Sequence, residues 1–302
     1  MIICTRQMAR LLLTSRAMTA ERFAVLGACL MMAAALPALA GRKAPADGLP
    51  QLRSNAVLVL DESDSSVLLS RQATVPTPIA SITKLMTAMV VLESDQPLDE
   101  MLVVTDEDRE RGRGAFSRLP VGTHLTRADL LHLALMSSEN RAAHALGRNY
   151  PGGVVAFVQE MNRKAANLGM HSAHFVDPSG LSSGNVASPT DLAILVNAAA
   201  QHPVIREYST DEGHSVRVGR RMLEYRNTDH LVRSPTWNII VQKTGYITEA
   251  GRCLVLKAVI KGRSVVMVLL DSFGKYTRTA DAQRIRKWLE ARLSDVAAGN
   301  PA

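Results

Sequence analysis

Aromatic residues are scarce in this 302-residue chain: five Phe, five Tyr and two Trp, 4% of the whole. That is too few for the stacking platforms that hold single-stranded nucleic acid. No clustered basic stripe and no glycine-rich phosphate loop accompanies them, so nucleic acid is not an expected partner. Cysteine is nearly absent. Of Cys4, Cys29 and Cys253, the first two fall in an N-terminal segment that reads as removable. One remaining thiol excludes an intramolecular disulfide, and an exported chain of this kind must rely on its core. Cys253 lies in the apolar run CLVLKAVI and reads as a buried small hydrophobe. His171 and His174, in HSAH, lack the H-E-x-x-H spacing or a cysteine partner, and read as surface-loop residues. Neither a metal nor another cofactor is expected.

Phe23 to Leu36 is too short for the roughly 20 apolar residues of a spanning helix. Arg6, Arg10, Arg16 and Arg22 precede it, and Pro37-Ala38-Leu39-Ala40 follows. A basic start, a short apolar core and an A-x-A ending read as a secretory signal over residues 1–40. The mature chain is then expected to start at Gly41, in the periplasm, with no transmembrane anchor. LGAC superficially suggests a lipoprotein site at Cys29, but the apolar run continues past it. Removing four Arg and one Glu takes the formal net charge from +7 to +4. That modest excess suits a soluble surface, or an anionic wall substrate.

Residues 41–54, rich in Pro and Gly, read as a linker, and 55–302 as one catalytic unit. AVLVL, the polar DESDSS and SVLLS predict a β-hairpin. Helical spacing dominates the middle: Thr126 with Asp129 and Ser188 with Asp191 cap apolar runs. Strand patterns return in NIIVQ, CLVLKAVI and SVVMVLL, and DAQRIRKWLEARL reads as an amphipathic helix packed on a sheet, with Trp288 in the core. Strands at both ends around a helical middle predict one α+β unit.

IASITKLMTAMV places Ser81 and Lys84 three residues apart in an apolar run. A buried Lys is costly unless it is paired or loses its charge. Ser-x-x-Lys alone is a weak signal. It gains weight from Ser138-Glu139-Asn140, which follows the LLHLALM helix, and Lys243-Thr244-Gly245, which follows NIIVQ. Ser81 early in a helix sits where the dipole favours developing negative charge, and Lys84 lies one turn on, on the same face. Glu139 reads as solvated.

The segments PIASITKLMTA, LMSSENRAAHAL, FVDPSGLSSGNVASPTDLA and VQKTGYI resemble the serine D-Ala-D-Ala peptidases, the low-molecular-mass penicillin-binding proteins. SSEN and LLDSFGKYTR resemble the endopeptidase branch of that family. The resemblance covers roughly Asn55 to Leu293 and implies a β-lactamase/transpeptidase-like fold, an antiparallel sheet flanked by helices. It implies Ser81 as nucleophile, Lys84 as its base and Ser138 as a proton relay. Asn140 would bind the acyl amide, and Lys243, Thr244 and Gly245 the carboxylate-bearing end, with Arg226 assisting. The backbone N–H groups of Ser81 and Tyr246 would form the oxyanion hole. Peptidoglycan peptides are the implied substrates and β-lactams the implied covalent inhibitors. The endopeptidase reading is favoured because the chain ends soon after the helix at Asp281 to Leu293, leaving no length for a second domain and anchor. The alternatives are a carboxypeptidase, a class A-like β-lactamase, or an idle wall-binding or penicillin-sensing module. No E-x-x-L-N segment between Asn140 and Lys243 supports the β-lactamase.

Overall fold

A computed structural model describes residues 48–109 and 117–297. The signal segment and the first part of the linker lie outside the described residues. The first hairpin pairs β1 (Ser54–Asp61) with β2 (Ser66–Arg71). Strand β3 (Thr77–Pro78) leads through a single 3-10 turn, Ala80–Ile82, into helix α1 (Thr83–Leu92). Short strands β4 (Met101–Val103) and β5 (His124–Thr126) pair with each other. Helices α2 (Arg127–Met136), α3 (Asn140–Arg148) and α4 (Gly153–Asn167) follow. Strand β6 (Val186–Ala187) returns to β3, and α5 (Pro189–Ala199) and α6 (Pro203–Thr210) complete the helical part. A second hairpin, β7 (Gly213–Val218) with β8 (Arg221–Arg226), precedes β9 (Asn238–Ile247), β10 (Gly251–Ile260) and β11 (Arg263–Ser272). Helix α7 (Thr277–Ala297) ends the described chain.

The five long strands form one antiparallel sheet in the order β2-β1-β11-β10-β9, so the two ends of the chain share it. Side chains alternate across a strand. In β11, Val266, Val268 and Leu270 face the helical core, whereas Val265, Met267 and Leu269 face the other side. Both faces are covered, which is why SVVMVLL is apolar without alternation. On the second face α7 presents Ala282, Ile285, Trp288 and Leu289, spaced to make one apolar stripe. Trp288 is core, as its pattern predicts. Buried Asp281 accepts hydrogen bonds from the Arg53 and Ser54 amides and the Ser54 hydroxyl, tying β1 to α7. Lys261 and Gly262, at φ +51° and +82°, make the tight β10–β11 turn.

Two expectations need correction. K-T-G does not follow its strand but lies inside it, because β9 runs on to Ile247. The β7–β8 hairpin interrupts the helical middle. Ser188 and Asp191 do form a capping box, and the Thr126 hydroxyl accepts from the Asp129 amide. The fold thus leaves β9 at a sheet edge, beside the turn that carries Ser81.

Candidate active site

Helix α1 is buried on every side, and its polar side chains are each held by a named partner. Thr83 Oγ1 donates to Ala80 O at 2.8 Å, and Thr87 Oγ1 to Pro178 O at 2.6 Å. Lys84, fully buried, donates from Nζ to Ser81 Oγ at 2.9 Å, Asn140 Oδ1 at 2.7 Å and Ser179 O at 2.6 Å. An ammonium has three donors, and three oxygens receive them. Ser81 sits in the 3-10 turn, two residues before α1 begins, and is 8% exposed.

The approach to Ser81 is made close by two glycines. Ala80 has φ +49°, a region that L-residues seldom adopt. Its carbonyl would lie 2.0 Å from a Cβ on Gly180, itself at φ +81°. On the other side, a Cβ on Gly245 would meet Ile79 O at 2.9 Å and Ser81 N at 3.1 Å. Only bare backbone lets the 177–185 loop and β9 close on this turn.

That loop is organised by Asp177. Its carboxylate accepts from the Ser179, Gly180 and Ser182 amides, the Ser179 hydroxyl and Asn185 Nδ2. Burial pushes its pKa up, but these donors win and hold it below the ordinary carboxylate value. The result is the rigid delivery of Ser179 O to Lys84.

Ser138 and Asn140 bracket the junction between α2 and α3. Ser138 has φ +60° and faces a cavity of about 480 Å³ that it shares with Ser137, Glu139, Arg118 and Arg226. Asn140 opens α3 and reaches Lys84. Glu139 is not solvated, as its sequence context suggests, but 6% exposed. It caps α3, its carboxylate accepting from the Arg141 amide at 3.3 Å and the Arg118 amide at 3.4 Å.

Lys243 and Thr244 project from β9. Lys243 is fully buried and donates to Thr244 O at 2.9 Å. Burial first, then the charges of Lys84 and Arg278, hold its pKa well below the ordinary lysine value, against the pull of Asp229. Thr244 Oγ1 lies 2.6 Å from Thr228 Oγ1. Arg278, from α7, donates to Gly245 O at 2.7 Å and to Cys253 O at 3.2 Å, bracing the strand end. Tyr246 is 54% exposed, with the Arg252 guanidinium 4.5 Å from its ring centre.

The structure thus brings Ser81, Lys84, Asn140, Lys243, Thr244 and Gly245 together. Arg226 is exposed on β8 and borders the Ser138 cavity, with no hydrogen bond to Lys243 or Thr244. Thr228, two residues on, makes the Thr244 contact instead. Sequence reasoning missed Thr228, Ser179, Gly180 and Arg278 as contributors. The segments FVDPSGLSSGNVASPTDLA and LLDSFGKYTR hold three of them, but no spacing rule singles them out. Cys253 is buried, its thiol pushed up to about 11 by desolvation.

The chain is 50% identical over 251 residues to the D-alanyl-D-alanine endopeptidase of Pseudomonas aeruginosa, covering 82% of this chain and 81% of that one. It is 44% identical over 243 residues to the enzyme of the same name from Escherichia coli K12, covering 80% and 78%. The crystal structure of the Streptomyces K15 DD-transpeptidase superposes with a TM-score of 0.74 at 27% identity, covering 80% of this chain and 98% of that one. The D-alanyl-D-alanine carboxypeptidase family model matches residues 42–274, and the chain belongs to that family of serine peptidases.

Proposed function

We propose that this is an exported, periplasmic D-alanyl-D-alanine endopeptidase that opens peptidoglycan cross-links through an acyl-enzyme on Ser81. The observation that carries the chemistry is the 2.9 Å contact between Lys84 Nζ and Ser81 Oγ in a buried site. In its neutral form Lys84 accepts the Ser81 proton as Oγ attacks the D-Ala carbonyl. The amides of Ser81 and Tyr246 face the developing oxyanion, the kind of preorganised contact that removal experiments value at about 3–4 kcal/mol. Ser138 passes the proton to the departing amine, and water then releases the acyl group. Asn140 holds the acyl amide while orienting Lys84. Lys243, Thr244 and Gly245 take the carboxylate-bearing leaving side, with Arg226 further out.

The edge position of β9 supports binding of an extended peptide, because among the described residues no other strand pairs with its outer side. Two relatives named endopeptidases, at 50% and 44% identity, support the cross-link over a terminal D-Ala as target. A β-lactamase needs a free carboxylate to activate water for deacylation. Here Asp177 is committed to its loop and Glu139 to the α3 cap, and Glu224, the other carboxylate bordering the Ser138 cavity, stands exposed on β8, so β-lactams are expected to acylate Ser81 and stay.

Purified muropeptide dimers and monomeric pentapeptides test the reading side by side. Conversion of dimers to monomers faster than D-Ala release from pentapeptides supports it. The opposite order makes the enzyme a carboxypeptidase.

A further inference from the structure

The β7–β8 hairpin carries four arginines against one glutamate over residues 213–226. Strand pairing sorts its side chains onto two faces. His214 with Tyr225, and Val216 with Leu223, turn toward the body of the protein. Arg217 with Met222, Ser215 with Glu224, and Gly213 with Arg226 turn outward. Val218 with Arg221 falls in the inward register beside the turn, where Arg221 is exposed together with Arg220. Among the described residues, the side chains of Arg217, Arg220, Arg221 and Arg226 have no ion-pair or hydrogen-bond partner. An exposed guanidinium needs none, but several unneutralised on one thin hairpin make a lasting positive field.

The row begins at the active site. Arg226 borders the cavity that holds Ser138, and a second cavity of about 460 Å³ continues along the hairpin base past Glu224 and Arg226 to Arg233. On the outward face Arg226 and the Arg217–Met222 pair lie four residues apart along β8, about 14 Å in an extended strand, with Glu224 between them and the exposed Arg220 and Arg221 beyond, at the turn. We propose that this arginine row is a docking surface for the polymeric wall, binding carboxylates of stem peptides next to the one being cut. The proposal rests on the reading of the substrate given above, since stem peptides carry free carboxylates. An anionic membrane is the other surface such a row could meet. The outward face offers it only one large apolar side chain, Met222 at 54% exposure, and interfacial binding draws on buried apolar area as well as charge. Continuity with the Ser138 cavity favours the wall.

The test uses the triple variant Arg217→Ala, Arg220→Ala, Arg221→Ala beside wild type. Both are given soluble muropeptide dimers, intact purified sacculi, and vesicles containing phosphatidylglycerol. The row predicts dimer cleavage within about twofold of wild type, but sacculus digestion slowed about tenfold or more and co-sedimentation with sacculi lost. Raising salt to about 0.5 M brings wild type down toward the variant. Equal sacculus digestion and sedimentation by the two proteins overturns the proposal, as does an equal loss on dimers and sacculi. Loss of vesicle binding with sacculus digestion intact overturns it in favour of a membrane. Failure of wild type to cleave dimers refutes the endopeptidase reading instead, while the sedimentation arm still decides the docking surface.

Discussion

A Cβ on Gly180 would lie 2.0 Å from the carbonyl oxygen of Ala80. The two residues belong to separate segments, and their contact sets where Ser81 stands. Ala80 at φ +49° and Gly180 at φ +81° are both held in a conformation that is unfavourable for side-chain-bearing residues.

Gly180→Ala therefore moves the nucleophile. The new methyl cannot be absorbed by a flexible side chain, because its nearest neighbour is backbone. We expect β-lactam acylation to fall by about tenfold or more, since small misplacements at a reacting centre cost about that much. Thermal stability should drop by roughly 1–3 kcal/mol. Measured acylation and melting curves equal to wild type would show that the loop yields freely.

Lys84→Ala removes the atom that contacts Ser81, Asn140 and Ser179. Acylation should slow by about two to four powers of ten, the usual range for a positioned base. Circular dichroism should still report a folded protein. Fast acylation by this variant would assign proton abstraction elsewhere.

Lys243 gives a pH-linked prediction. Its pKa is depressed by burial and by the charges of Lys84 and Arg278. A substrate carboxylate favours the charged form, so binding should take up a proton. Uptake should grow as pH rises through the depressed pKa, because more of Lys243 is then neutral beforehand, and fall again as pH reaches the ordinary lysine range. Calorimetry of Ser81→Ala with a D-Ala-terminated peptide, in buffers of different ionisation heat, measures it. The peptide's C-terminal amide should show none. Buffer-independent heats for both ligands would remove Lys243 from carboxylate binding.

The stability consequence has a defined sign. A lysine whose folded pKa is lowered binds protons more readily when unfolded, so it weakens the fold below that range and the penalty fades as pH rises through it. Lys243→Met should gain stability over wild type at neutral pH, and that gain should shrink toward alkaline pH in denaturant titrations. A pH-independent difference would contradict the burial argument.

Away from the site, Asp281→Ala leaves the Ser54 and Arg53 amides without their acceptor. The Ser54 amide is buried, and a buried donor left unmade costs about 1–3 kcal/mol. Denaturant midpoints should fall accordingly, with acylation at low temperature unchanged. An unaltered midpoint would mean that the α7 contact does not hold β1.

Much of the site was legible because its chemistry is local: Ser81 and Lys84 are one turn apart, and Ser138 and Asn140 span one helix junction. The two-faced apolar strands and the stripe on α7 were legible for the same reason. What escaped is carried by distant contacts. Ser179 reaches Lys84 across 95 residues and Arg278 reaches Gly245 across 33, each through backbone carbonyls that no side-chain pattern announces. Glu139 looked solvated because it is charged, yet the orphan amides of α3 need an acceptor there. The β7–β8 hairpin was hidden by polar side chains on its outward face, which mask the alternation of its inner one.

The central claim is that Ser81 is the acylated residue. Brief mixing with penicillin, proteolysis and mass spectrometry of the fragments test it directly. The account predicts one stable adduct, on the peptide containing Ser81, absent from Ser81→Ala. An adduct mapping to any other residue, or persisting in that variant, would contradict it.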